Sequence, residues 1–97
     1  MFVHYCNFSI LIYDSFSLKD KRSVVKSIIN KSKQKFNISI SELNSLDIQN
    51  KADIGIACVG NTSIICEQTI QSFTTFVENN YNIDILRQDC QFAVLKS

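Results

Sequence analysis

SLKDKRSVVKSIINKSKQKFNISISEL, residues 17–43, changes its hydrophobic period partway along, and that change decides how the rest of the chain is read. From Leu18 to Phe36 the apolar positions Leu18, Val25, Ile28, Ile29 and Phe36, with Val24 and Ser32 beside them, fall on one face at 3.6 residues per turn. The spacing predicts an amphipathic helix over 18–35. Ser17 followed three residues later by Asp20 is the SxxD form of a capping box, which satisfies free N–H groups where a helix begins. From residue 37 the period falls to two through Ile38 and Ile40, which predicts a strand over 37–46. Leu43 then sits on the opposite parity, a sign of either a bulge or an inward-facing Glu42.

On the N-terminal side, residues 2–12 alternate, with Phe2, Cys6, Phe8, Ile10 and Ile12 on one parity and Tyr5, Asn7 and Ser9 on the other. That stretch reads as a half-buried strand rather than an export signal, since it has no basic leader and contains His4 and Asn7. On the C-terminal side, Asp53–Val59 alternates as a third strand that Gly60 ends. Asn61 or Thr62 caps a second helix running to about residue 78, with Cys66, Ile70, Phe73 and Val77 as its buried stripe. Asn79, Asn80 and Asn82 end that helix through the left-handed conformation Asn tolerates, and a last strand runs from about 82 into the nineties. The order is βαββαβ, an α+β ferredoxin-like arrangement: a four-stranded antiparallel sheet in the order 4-1-3-2 with two helices on one face. The opposite face is left open, carrying Tyr5, Asn7, Ser9 and Leu11 with Gly55, Ala57 and Val59.

With 97 residues, 45% of them hydrophobic, the sequence fits one domain, residues 1–97, and is too apolar for disorder. No apolar run approaches the roughly 20 residues that cross a bilayer. The tail QFAVLKS, residues 91–97, is read as an extension of strand 4 or a docking segment for another subunit. Four cysteines, Cys6, Cys58, Cys66 and Cys90, show no CxxC pair; the expectation is reduced core thiols in a cytoplasmic protein, with no metal and no cofactor.

The net charge of +1 is an average over two unlike parts. Residues 19–35 hold seven basic side chains and one acid, Asp20, while the remainder holds three bases and eight acids. On the helical wheel Lys19, Arg22, Lys26 and Lys33 lie within about 60° of one another, a stripe beside the apolar face. Lys31 and Lys35 lie on the other flank. Compact lysine charges and an arginine fork in such a stripe suit phosphates. Lys21 differs: its wheel position points to the sheet, and Glu42, near the end of strand 2, is its expected partner in a structural ion pair.

Catalysis is not expected. Tyr13–Ser17 lacks the glycines of an acyl-phosphate-binding loop, His4 is the sole histidine, and no Walker, HExxH or GxSxG pattern occurs. A base-stacking platform of the RNA-recognition type is poorly provided for, since strand 1 offers only Tyr5 and strand 3 offers Gly55 and Ala57.

SLKDKRSVVKSI at 17–28, FNISISEL at 36–43 and ADIGIACVGN at 52–61 resemble the YlxP-like family of small bacterial proteins, a likeness covering roughly residues 2–90. Tyr13 and Asp14 stand where members often carry Pro-Gly. The resemblance implies a ferredoxin-like domain and, from the genes that neighbour such members, a setting in translation initiation and ribosome maturation. The expected function is therefore a non-enzymatic accessory domain that binds ribosomal RNA or a ribosomal subunit through Lys19, Arg22, Lys26 and Lys33. The competing expectation is a homo-oligomeric scaffold or regulatory module packing through the open sheet face.

Overall fold

A computed structural model describes residues 1–96. The elements follow the order β1 (Phe2–Ile12), α1 (Leu18–Lys35), β2 (Ser39–Glu42), β3 (Lys51–Gly60), α2 (Ser63–Asn80) and β4 (Ile83–Val94). The four strands form one antiparallel sheet ordered β2-β3-β1-β4, which is 4-1-3-2 seen from the other edge. β1 is central, paired to β3 from Phe2↔Gly60 to Leu11↔Lys51 and to β4 from Phe2↔Val94 to Ile12↔Ile83. One register shift, at Ser9/Ile10, leaves Leu86 as an extra residue in β4.

Alternation explains the core. Cys6, Phe8, Ile10 and Ile12 of β1 and Ala52, Ile54, Ile56 and Cys58 of β3 point to the helices and are buried. Val25 and Ile28 of α1 and Cys66, Ile70, Phe73 and Val77 of α2 meet them. Phe8 and Phe73, both fully buried, have ring centroids 5.3 Å apart. Each large apolar side chain so placed contributes about 1.5–3 kcal/mol through burial. α2 covers β1 and β3, while α1 packs against β2.

The helix ends depart in part from the sequence reading. Ser17 Oγ accepts the Asp20 N–H at 3.0 Å, but the Asp20 carboxylate reaches the N–H of Phe16 rather than that of Ser17, so only half of a capping box forms. α2 is capped by Thr62, whose Oγ1 accepts the Ile65 N–H at 3.2 Å. Its far end is not a left-handed Asn. Tyr81 turns to extended backbone (φ −133°), its N–H bonded to the Val77 carbonyl, while the Asn80 side chain caps the Phe76 carbonyl. β2 is shorter than expected, four residues, and keeps its parity: Glu42 faces inward with Ile40, and no bulge intervenes.

The expectation of four reduced thiols is corrected. Cys6 and Cys90 form a disulfide, with Cα atoms 4.1 Å apart. A separation of 84 residues hides the pair in the sequence, whereas the β1–β4 register sets the two directly opposite each other. Cys58 and Cys66 are free and buried.

Candidate nucleic-acid interface

The side of α1 turned from the sheet carries Lys19, Arg22, Lys26 and Lys33, all exposed. None of the four takes part in the two ion pairs found among the described residues, Lys21–Glu42 and Arg87–Asp89. At 1.5 Å per residue the stripe is about 21 Å long. Asp20, the only acid on the helix, is taken up by its bonds at the cap. Lys35, on the other flank, lies 5.4 Å from the Phe76 ring centroid and serves the contact between the helices. The stripe is therefore a row of cations whose counter-charges are not supplied by the fold.

Lys21 stands apart from them. Its side chain is 1% exposed, Nζ donates to the Ser45 carbonyl, and Nζ lies 3.1 Å from Glu42 Oε2. No well-aligned hydrogen bond reaches Oε2, so that oxygen is held by charge at short range rather than by a directed bond. Ser45 takes a left-handed backbone (φ 62°) that presents its carbonyl to Lys21, and its Oγ donates to Asp53 Oδ2 at 2.8 Å. Ser9 Oγ donates to Asp53 Oδ1 at 2.7 Å. These two hydroxyls, Ser9 first, hold the Asp53 carboxyl below its ordinary value. One polar network thus ties the start of α1, the end of β2, the 43–50 turn, β3 and β1. Lys21 and Glu42 order the helix start; Lys21 is closed to solvent, whereas the Glu42 side chain stays 20% exposed.

Ser9, Ser45 and Asp53 were not singled out in the sequence. Period-2 alternation put Ser9 on the open face, but nothing local to Ser45 announces its left-handed turn. The sole histidine, His4, is a packed residue of β1: its Nε2 lies 3.0 Å from Ser63 Oγ, and its ring stacks on Phe92 at 5.6 Å.

The open sheet face forms a shallow groove of about 520 Å³, floored by Gly55 and Ala57 and walled by Tyr5 and Leu43. Leu43 lies over Gly55: a Cβ there would come within 2.7 Å of Leu43 Cδ1, so the Leu43 side chain would have to move aside. Tyr5 is 45% and Val59 55% exposed; Leu11 is half-buried at the other end. Among the described residues no three His, Cys, Asp or Glu side chains converge as metal ligands, and no helix is long and apolar enough to cross a membrane.

Fold and surface together define a small α+β sandwich with one polarised helix. The chain belongs to the family described as protein of unknown function (DUF503), which matches residues 3–90. It is similar to the uncharacterized protein YlxP of Bacillus subtilis (strain 168), 38% identical over 69 residues that cover 71% of this chain and 75% of that protein.

Proposed function

We propose that this chain is a non-enzymatic accessory protein of the cytoplasm that binds structured RNA, on a ribosomal subunit, through the basic face of α1. The observation that carries this reading is the row of Lys19, Arg22, Lys26 and Lys33, exposed and outside the ion pairs of the fold. Lys19 also sits in the first turn of α1, where the macrodipole disfavours cations, so helix stability gives no reason for it. The translation setting implied by the family resemblance supports the same partner.

Binding through three or four phosphates gives a log–log dependence of affinity on salt with a slope of roughly −3 to −4 where the RNA is paired and roughly −2 to −3 where it is single-stranded. Titration of a fluorescent RNA at several salt concentrations checks this, and a flat response overturns it. Changing the four residues to Glu together is expected to abolish binding while the far-UV spectrum stays native. On purified ribosomal subunits, co-sedimentation at low salt and release at high salt is the expected pattern.

A second reading rests on the open groove. Its small floor at Gly55 and Ala57 permits close approach of a second copy, with Tyr5 and Val59 as apolar contacts. Light scattering separates the two readings: a strict monomer at high concentration removes self-packing and leaves RNA binding untouched.

A further inference from the structure

β4 is an edge strand of unequal halves. Ile83 is buried and Ile85 half-buried against the core, whereas every residue from Leu86 to Val94 is exposed. Gln88, Cys90, Phe92 and Val94 lie opposite Phe8, Cys6, His4 and Phe2 and so point to the helix side of the sheet. Phe92 is nevertheless 67% and Val94 46% exposed, because α2 packs mainly over β1 and β3. The distal half is held by its ladder to β1, by the stacking of Phe92 on His4, and by one covalent bond, Cys6–Cys90. The two sulfurs belong to unlike residues. Cys6 is 4% exposed and part of the core, while Cys90 is exposed on the edge.

We propose that the Cys6–Cys90 disulfide is a thiol-exchange site that clamps the distal half of β4, and that small-molecule or protein thiols open it from the Cys90 side. A thiolate attacks Cys90 Sγ, forming a mixed disulfide as the S–S bond breaks, and the sulfur of Cys6 leaves with the electron pair and takes a proton. A second thiolate attacks the mixed disulfide at the sulfur of the first reagent. It releases Cys90 as a thiolate that is then protonated; the reagent is oxidised to its disulfide and the protein reduced by two electrons. Cys58 and Cys66 stay out of this exchange: both are buried, and each thiol is directed at the other's backbone carbonyl, at 3.6 and 3.8 Å. With the bond open, no buried side chain anchors residues 86–94, and that segment is the part of the sheet set to open locally. In a reducing compartment a disulfide with one open residue is a transient, redox-responsive bond rather than a permanent one. The clamp does not depend on the RNA reading.

The test uses the whole protein. It is equilibrated with oxidised glutathione, then treated with dithiothreitol without denaturant; alkylation and mass spectrometry follow the bond, and hydrogen exchange follows the backbone. The expected result is a Cys6–Cys90 disulfide that reduces in the folded state, with amide exchange in 86–94 at least threefold faster and exchange in β3 and α2 unchanged. Cys90→Ser is expected to show the fast exchange without reductant. The proposal is overturned if Cys6 and Cys90 alkylate as free thiols after oxidation, if the bond reduces only in denaturant, or if reduction changes exchange in 86–94 by less than threefold.

Discussion

Lys21 shows how much one side chain can hold. Its ammonium is the meeting point of α1, β2 and the 43–50 turn, and it lies in a setting where an unpaired charge is costly. Lys21→Met leaves Glu42 facing inward without its cation, and the expected loss is about 3 kcal/mol in urea unfolding. Adding Glu42→Gln to the same chain is expected to recover part of that loss, because the surviving partner no longer carries an unmatched charge. Asp53 gives a pH signature with a definite sign. Its folded carboxyl titrates below the ordinary value of 3.8, so near that pH the unfolded chain binds the proton more readily. The stability Asp53 contributes is present above that value and is lost as pH falls through the lower, folded one. Asp53→Asn is expected to flatten the acid limb of a stability–pH curve measured by urea unfolding, and an unchanged limb would separate Asp53 from the network. Lys21 was legible in the sequence because a 3.6 period places every helical residue on a wheel. Ser45 was not: its positive φ is imposed by the turn around it and by the carbonyl's bond to Lys21, and no glycine marks the position.

Among the elements, α1 carries opposed demands. Lys19 works against the dipole at the helix start, so Lys19→Glu is expected to raise helix stability by about 0.3–1 kcal/mol while it weakens RNA binding. Thermal unfolding and a binding titration on the same variant test the two signs together. A fall in both would mean that Lys19 has a packing role that its exposure does not suggest. The stripe Cys66, Ile70, Phe73 and Val77 of α2 was legible in full, since four residues at helical spacing admit one face. The end of α2 was read incorrectly because Asn80 uses its side chain, not its backbone, to close the helix. β2 was read too long because the polar 44–50 turn follows the strand without a glycine or proline to separate them.

The whole molecule is elongated, 48 × 21 × 19 Å, with a Cα radius of gyration of 13.7 Å against about 12.5 Å for a compact chain of this length. Small-angle scattering of a monomer is expected to return a value close to the first figure at every concentration, and a rise with concentration would favour packing through the open face. Topology and layer order were legible because right-handed crossovers leave few ways to join βαβ units. The disulfide was not, since it depends on which residues of β1 and β4 meet, and register is a property of the assembled sheet. That same central place of β1 bears on the order of events during synthesis. β1 is made first, yet its ladder partners include Gly60 and Val94 for Phe2 alone, far along the chain. At about 5–20 residues per second, β1 spends several seconds with both edges bare before β3 is made, and longer with one edge bare before β4 exists. Pairings this distant also make the domain slower to fold than a helical bundle of the same length. The strand that organises the sheet is thus the one that waits longest for its neighbours.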